Sequence, residues 1–248
     1  MFTSQQIGIT NNEASVLLEN HLEKIRLHQD SLDIPMRTDC TEYKISDLAE
    51  DQQQSLAEVL AALRSYCQEP NVNKQKVLRV TVSGVAGSGK STWINTLVTV
   101  VRKMFNNNDT IAVFAPTGAA AFNAGGQTLH RGFGVPFLIN TMEINPQNST
   151  YLLARFANTL IIIIDERSML DATMLGTIKH YMKQCAHSGQ NKNHPWGGIP
   201  IIILVGDDYQ LPPISPGAFY ALNEDQLKKT AFMTNAAYSL RKDGFEEF

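Results

Sequence analysis

Eight consecutive residues, Gly84 to Ser91, have the composition of a loop that binds phosphate groups. Their sequence, GVAGSGKS, fits the pattern G-x-x-x-x-G-K-[ST] at every fixed position. Glycines let successive backbone N–H groups turn inward, and a helix that begins at the loop adds partial positive charge there. We predict a nucleoside triphosphate site, with Lys90 on the β- and γ-phosphates and the Ser91 hydroxyl on Mg²⁺. The predicted nucleotide contacts are Gly84, Val85, Ala86, Gly87, Ser88, Gly89, Lys90, Ser91 and Thr92.

Two adjacent carboxylates, Asp165 and Glu166, follow a wholly apolar run at Leu160–Ile164. An acidic pair at the end of a buried strand is typical of the second half of a nucleotide-hydrolysing site. Asp165 is predicted to hold Mg²⁺, and Glu166 to orient and deprotonate the attacking water. A kinase of small molecules, the alternative for a phosphate loop, uses its substrate's hydroxyl and leaves this glutamate without a role. The pair therefore favours hydrolysis.

A third polar group, Gln210, follows the apolar run Ile199–Val205 within the sequence GDDYQLPP. An uncharged amide both donates and accepts hydrogen bonds, so it can detect a γ-phosphate and respond to its loss. We predict that Gln210 is such a sensor. By itself a glutamine before two prolines indicates only a turn, and the prediction depends on the acidic strand end that precedes it in the chain.

The stretches around these groups predict the elements that position them. Four short apolar runs have the length of buried strands: Val77–Ser83, Ile111–Ala115, Leu160–Ile164 and Ile199–Val205. Three stretches have apolar residues at helical spacing: 46–67, Ser91–Phe105 and Met169–Gln184. Strands that are apolar on both faces and alternate with helices predict an α/β fold, with a parallel sheet covered on both sides. Ligands of such sheets lie at the carboxyl ends of strands, where all three motifs fall.

Length and composition limit the class of protein. The chain has 248 residues, of which 43% are hydrophobic and 18% charged, with a formal net charge of −3. This composition is typical of a globular protein and argues against disorder or a fibrous fold. The apolar runs are too short to span a bilayer, so we expect no membrane partner. Three scattered cysteines, and the absence of a signal or transit pattern at the start, predict an intracellular protein with reduced thiols.

The chain is expected to consist of a peripheral N-terminal segment and one nucleotide-binding domain. Residues 1–45 are polar and carry one amphipathic stretch, Val16–Leu27, which predicts a peripheral helix. Residues 46–248 contain every motif described above and are predicted to form the nucleotide-binding domain. A polar, proline-containing connection is expected at Pro136–Thr150.

Four segments, taken in order, resemble the motifs of the PIF-like DNA helicases of superfamily one, a pattern shared by helicases of Helitron transposons. The segments are GVAGSGKS, APTGAAAFNAGGQTLH, IIIDERSMLD and PWGGIPIIILVGDDYQLPP. The resemblance extends from about Leu48 to Pro213. It implies a P-loop NTPase with a RecA-like parallel sheet, ATP and Mg²⁺ as cofactors, and ATP hydrolysis that drives 5′-to-3′ movement on single-stranded DNA and unwinding of duplex.

The resemblance also implies residues that contact single-stranded DNA. In the second segment, Thr117 and Gly118 are expected to lie along the DNA backbone, and Thr128 and His130 to contact it again. Backbone N–H groups in a Gly/Ala-rich stretch approach phosphates closely, which makes this role physically reasonable. Without the resemblance, Ala115–His130 would be predicted as a glycine-rich loop and helix.

An adenine-reading glutamine is the last residue that the resemblance implies. Leu48-Ala49-Glu50-Asp51-Gln52 is similar to the family's segment upstream of the phosphate loop. Gln52 is therefore the first choice, and Gln53 is the alternative. A plain surface glutamine on a helix is the structural alternative.

The family carries a second RecA-like motor domain after the QLPP motif, and nothing after Pro213 resembles it. We therefore expect this chain to hold the first motor domain only, as a monomer, in the nucleus or mitochondrion if its source is eukaryotic. Two hypotheses follow. The chain is the motor domain of an ATP-dependent DNA helicase, or it is a truncated module that binds nucleotide and single-stranded DNA without unwinding.

Overall fold

The structure is a computed structural model that describes residues 43–69, 77–135, 144, 146–185, 195–207 and 209–211. These residues fall within one compact unit of the chain. The amphipathic stretch Val16–Leu27 and the prolines Pro212 and Pro213 lie outside the described residues. The proposed division at residue 45 therefore stays a prediction.

Within the described residues, five parallel strands form one sheet in the order β1-β5-β4-β2-β3. The strands are β1 (Leu78–Ser83), β2 (Ile111–Ala115), β3 (Gln127–Thr128), β4 (Ile161–Ile164) and β5 (Ile201–Gly206). The four strands expected from the sequence are confirmed to within two residues at each end. The two-residue strand β3 was not predicted, because it is too short to show a hydrophobic pattern.

Helices connect and cover the strands. They are α1 (Glu50–Gln68), α2 (Lys90–Phe105), α3 (Gly118–Asn123), α4 (Leu129–Phe133), α5 (Pro146–Arg155) and α6 (Ala172–Gln184). Short 3-10 turns lie at Ile45–Asp47, Asn108–Thr110, Arg167–Met169 and Pro195–Gly198. Within the described part of the chain, no helix is both long and apolar enough to cross a bilayer.

Helix α1 begins at Glu50 rather than at residue 46, because the preceding residues form the 3-10 turn Ile45–Asp47. Two further boundaries differ from the sequence prediction for local reasons. The prediction of a connection over Pro136–Thr150 is wrong for its last five residues, because α5 begins at Pro146. Proline is suited to the first helical position, since the N–H that it lacks would have no partner there. Helix α6 begins at Ala172 rather than Met169, because the Asp171 carboxylate accepts the N–H groups of Thr173 and Met174 at 2.7 and 3.2 Å. Such an N-cap ends the preceding turn and starts the helix.

The alternation of side chains along β4 and β5 divides the core into two layers. Ile161, Ile163, Ile201 and Ile203 pack with the apolar faces of α1 and α2. The intervening residues pack on the other side with α4, α5 and α6; they are Ile162, Ile164, Ile202 and Leu204. Every residue of these two strands is buried. The predicted parallel sheet with helices on both faces is therefore confirmed.

Large side chains fill both layers. In α1 the apolar residues at helical spacing form one buried face, which consists of Leu56, Val59, Leu60 and Leu63. Trp93 and Trp196 are 1% and 0% exposed, and each lies in one of the two core layers. The rings of Phe114 and Phe133 lie 4.6 Å apart between their centroids, so Phe133 also belongs to the core.

Gly132 offers a test of this packing. A Cβ atom at Gly132 overlaps the buried ring of Phe114, and overpacking of a core costs about 1–3 kcal/mol. That exceeds the gain of roughly 0.5–1 kcal/mol for replacing glycine within a helix. We expect Gly132→Ala to lower the free energy of unfolding by about 1–2 kcal/mol in a urea titration.

Gly118→Ala is the matched control, because a Cβ atom there meets nothing within 4 Å. Its stability should equal or slightly exceed that of the unmodified chain. A Gly132→Ala chain as stable as this control would contradict the close contact between α4 and β2.

Candidate active site

The strand order brings three loops to one edge of the sheet. Strand β5 lies between β1 and β4, with Ser83 beside Gly206 and Ile164 beside Leu204. Neighbouring strands are about 4.8 Å apart, so the ends of β1 and β4 are separated by roughly 10 Å. The loops that follow all three strands therefore leave the sheet together. This order could not be read from the sequence, where β5 comes last.

The phosphate loop has the strand-loop-helix context that its pattern requires. It begins where the Gly84 N–H donates to the carbonyl oxygen of Gly206 at 3.2 Å, and the Ser88 N–H closes a turn on the Val85 carbonyl at 3.1 Å. Gly89 has a φ of +84° and caps the N-terminus of α2. Only glycine adopts this left-handed conformation without strain, so the second fixed glycine of the pattern has a structural cause.

The ammonium group of Lys90 lies inside this loop. Its Nζ donates to the carbonyl oxygens of Gly84 and Val85 at 2.6 and 3.0 Å. An ammonium has three N–H donors, so these two bonds leave one for another acceptor. The charge of Lys90 also acts across the site: burial raises the pKa of Asp165, and Lys90 is one of the groups that oppose this rise. The structure therefore brings Lys90 and Asp165 into one electrostatic environment.

Asp165 is buried at the end of β4, with 8% of its surface exposed. Its N–H donates to the Phe114 carbonyl at 2.8 Å, and its Oδ1 accepts from the Glu166 N–H at 2.9 Å. Burial raises the pKa of Asp165, and the charge of Glu166 adds to this effect. The Glu166 N–H bond and Lys90 oppose it.

Glu166 has a φ of +56°, in the left-handed region that residues with a side chain rarely adopt. This conformation costs about 1–2 kcal/mol, and such strain is typical of positions where a side chain must be aimed. The side chain of Glu166 is half-buried. Glu166 therefore stands beside Asp165 but turns away from the direction of the strand.

A residue that the sequence analysis missed, Arg167, ties the three strand ends together. Arg167 is 5% exposed, and its Nη2 donates to Ser83 Oγ at 2.8 Å. A Cβ atom at Gly206 falls 2.8 Å from both the Cγ and the backbone nitrogen of Arg167. The end of β5 is thus a glycine because Arg167 passes directly against it. Spacing along the chain carries no signal for this contact.

The two glutamines considered for adenine recognition have different partners. Gln52 Nε2 donates to the Ser88 carbonyl in the phosphate loop at 2.7 Å. Gln53 Nε2 donates instead to the Leu48 carbonyl at 2.8 Å, at the start of its own helix. The geometry therefore favours Gln52 over Gln53, although a role in base recognition stays a prediction.

Gln210 lies in the turn that follows β5. The Asp207 carbonyl accepts from the Gln210 N–H at 3.1 Å, and Asp207 Oδ1 accepts from the Tyr209 N–H at the same distance. Within the described part of the chain, no hydrogen bond joins the Gln210 side chain to the loop or to the acidic pair. Its place at the shared edge suits a sensor, but that role stays a prediction.

The residues expected to contact DNA lie after β2 and around β3. Thr117 caps α3 by accepting the Ala120 N–H at 3.2 Å, and Thr128 caps α4 by accepting the Arg131 N–H at 3.4 Å. Gly118 is exposed at the start of α3. Burial lowers the pKa of His130, which favours the neutral form of its ring. The capping roles of both threonines were not predicted.

Ser91 and Asp165 fit a magnesium ion by their chemistry. They offer a hydroxyl and a carboxylate, and Mg²⁺ is usually held by one or two protein oxygens together with substrate phosphates. Among the residues that the structure describes, no group of three or more His, Cys, Asp or Glu residues could hold a metal ion. This donor set suits a metal that is held jointly with a nucleotide.

Known proteins are similar to this chain in sequence. The family model of the PIF1-like helicases matches residues 48–233. The ATP-dependent DNA helicase RRM3 of Saccharomyces cerevisiae is 34% identical over 148 residues, which cover 58% of this chain and 20% of RRM3. The ATP-dependent DNA helicase Pif1 of Psychrobacter sp. is 33% identical over 160 residues, which cover 63% of this chain and 22% of that protein.

Solved structures agree with these relatives. The crystal structure of Pif1 helicase from Candida albicans has a TM-score of 0.52 and 31% identity, and the match covers 68% of this chain and 34% of that one. Unliganded Pif1 from Bacteroides sp. has a TM-score of 0.50 and 30% identity, with 68% and 33% covered. The predicted RecA-like P-loop fold is confirmed. Because the family match spans well over half of its residues, the chain belongs to the PIF1-like helicase family.

Proposed function

We propose that this chain is the first motor domain of an ATP-dependent DNA helicase, which hydrolyses ATP with Mg²⁺ and moves 5′ to 3′ along single-stranded DNA. The observation that carries the proposal is the common edge where the phosphate loop, Asp165 and Glu166 meet. Relatives named as ATP-dependent DNA helicases support it. The chain spans only 20% and 22% of their lengths, so the activity of a whole protein is inferred from one part.

Binding of the triphosphate depends on backbone donors and on one charge. The loop from Gly84 to Ser91 surrounds the phosphates with N–H groups, and the N-terminus of α2 directs its dipole toward them. Lys90 is already held within the loop by two carbonyl oxygens. Its position there lets it reach the β- and γ-phosphates with little loss of side-chain freedom.

Ser91 and Asp165 are the residues that would hold Mg²⁺. When bound, the ion neutralises charge on the phosphate oxygens. Asp165 is fixed by the Phe114 carbonyl and by the Glu166 N–H, so its second oxygen has a defined direction. Burial of this carboxyl favours a cationic partner, because an isolated buried carboxylate is costly.

Glu166 is proposed as the general base. A water oxygen attacks the γ-phosphorus while its proton passes to the Glu166 carboxylate, and the bond to the ADP oxygen breaks. The left-handed backbone at Glu166 turns the chain out of the strand direction at this residue. Arg167, the next residue, donates to Ser83 at the end of β1 and packs against Gly206 at the end of β5. These two contacts fix the backbone directly after Glu166.

The DNA-contacting residues are proposed to be Thr117, Gly118, Thr128 and His130. They follow β2, whose Phe114 carbonyl accepts the Asp165 N–H. A shift in the acidic strand end is therefore passed directly to the strand that leads to the DNA segment. Gln210 is proposed to hydrogen-bond the γ-phosphate, so that loss of the phosphate changes the conformation of the segment after β5.

The alternative is a module that binds nucleotide and single-stranded DNA without unwinding. A strand-displacement assay on the purified 248-residue chain tests whether the chain unwinds duplex DNA by itself. We expect ATP-dependent binding of single-stranded DNA, slow hydrolysis and no displacement by this chain alone. Displacement at the rate of ATP turnover would refute the module and establish a complete motor.

Lys90→Ala tests the phosphate site. Loss of the one cation within the loop should reduce kcat/KM for ATP by at least about 100-fold, the usual effect of removing a charge-stabilising donor. The measurement is phosphate release in the presence of single-stranded DNA. Lys103→Ala, at the exposed end of the same helix, is the matched control. Equal turnover in both variants would refute the assignment.

Glu166→Gln separates binding from chemistry. The amide keeps the shape of the side chain but cannot take a proton, so kcat should fall by about 10²–10⁴-fold. The affinity for ATP should stay within about threefold, because the residue is not proposed to bind the ground state. Glu58→Gln, on the exposed face of α1, controls for loss of a carboxylate. Unchanged kcat in Glu166→Gln would assign the base elsewhere.

A further inference from the structure

We propose that Trp93 is a positioning residue that sets the base selectivity of the nucleotide site. It does so by fixing the amide of Gln52 in the orientation that accepts adenine and rejects guanine. The inference rests on the proposed ATP site and on Gln52 as its base-reading residue. It adds the cause of selectivity, which lies in a hydrogen-bonded cluster between α1 and α2.

The cluster joins the phosphate-loop helix to the first turn of α1. Trp93 lies three residues after Lys90 and is 1% exposed. Its indole Nε1 donates to Ser55 Oγ at 3.0 Å and to the Gln52 carbonyl at 3.2 Å. Ser55 Oγ in turn donates to the same carbonyl at 2.9 Å. A buried indole N–H needs a partner, so the cluster holds the backbone of Gln52 in place.

Two further hydrogen bonds fix the Gln52 amide itself. Its Nε2 donates to the Ser88 carbonyl at 2.7 Å, and its Oε1 accepts from the Ala49 N–H at 3.2 Å. The partners are of opposite kind, so they decide which end of the amide is oxygen and which is nitrogen. The amide also lies close to the loop, because a Cβ atom at Gly89 falls 2.9 Å from Nε2.

The remaining hydrogen-bonding capacity matches one purine. A glutamine amide has two N–H donors and two acceptor positions, and the bonds to Ser88 and Ala49 use one of each. Among the residues that the structure describes, no further group takes the remaining donor and acceptor. Adenine presents an acceptor, N7, beside a donor, the 6-amino group, and so pairs with both. Guanine presents two acceptors, N7 and O6, and its O6 faces the amide oxygen.

Fixation is what makes the discrimination possible. An amide that could leave Ser88 would have two N–H groups for the two guanine acceptors, and the difference between the purines would shrink. Trp93 prevents this by anchoring the residue that carries the amide. A tryptophan that served only to pack α1 against α2 would change stability, and would weaken ATP and GTP binding equally.

The test measures the Kd values of ATP and GTP with Mg²⁺ by calorimetry, using the full 248-residue chain. A good bidentate pair discriminates bases by about 1–3 kcal/mol, so wild type should prefer ATP roughly tenfold or more. Trp93→Phe keeps an aromatic ring but removes the N–H. We expect its preference to fall below about threefold, chiefly through tighter GTP binding, because the released amide can offer both of its N–H groups to guanine.

Two further variants serve as controls for Trp93→Phe. Trp196→Phe makes the same change at the other buried tryptophan, in the core layer on the opposite face of the sheet, and should keep the wild-type preference. Gln52→Ala should abolish the preference. Adding Trp93→Phe to Gln52→Ala should then have no further effect on it, because both residues act through one amide.

Each outcome decides the inference. A folded Trp93→Phe chain with the wild-type preference overturns it, and so does a wild-type chain that binds both nucleotides equally, although the ATP site itself then stands. A wild-type chain that binds neither nucleotide overturns the proposed function as well. If circular dichroism shows that Trp93→Phe does not fold, Ser55→Ala removes one acceptor of the indole N–H. An unchanged preference in folded Ser55→Ala is then the overturning result.

Discussion

The position of β5 between β1 and β4 is the constraint on which the rest of the site depends. Parallel pairing fixes the distance between the phosphate loop and the acidic pair at two strand spacings, which leaves a gap on the scale of a phosphate chain. The Gly84 N–H and the Arg167 guanidinium each cross between strand ends. Each of these contacts resists separation of the loops, because a buried polar group left unpaired is costly.

The sequence predicted the features that depend on local pattern. The buried face of α1 and the limits of β2 follow from hydrophobic periodicity, which a strand or helix carries within its own residues. The phosphate loop followed from a spacing that only one backbone conformation satisfies. These features needed no knowledge of distant partners.

The features that the sequence did not predict depend on contacts between distant segments. Arg167 meets Ser83 across 84 positions, and Gln52 meets Ser88 across 36. Neither contact produces a periodic pattern in the amino-acid sequence. The strand order is likewise a property of the assembled sheet, and α5 begins within a stretch whose prolines and polar residues indicated a connection. A proline at the first helical position resembles a loop proline until the rest of the helix is seen.

The helix-capping threonines have a consequence for how the chain would meet a nucleic acid. A hydroxyl has one proton and two lone pairs, and Thr117 and Thr128 each give a lone pair to a backbone N–H. The proton is then the group left to offer outward, and phosphodiester oxygens are acceptors whatever the base. A surface that offers donors in this way grips the sugar-phosphate chain alike at every nucleotide. At the proposed DNA contacts, indifference to base sequence would thus follow from how these two short helices begin.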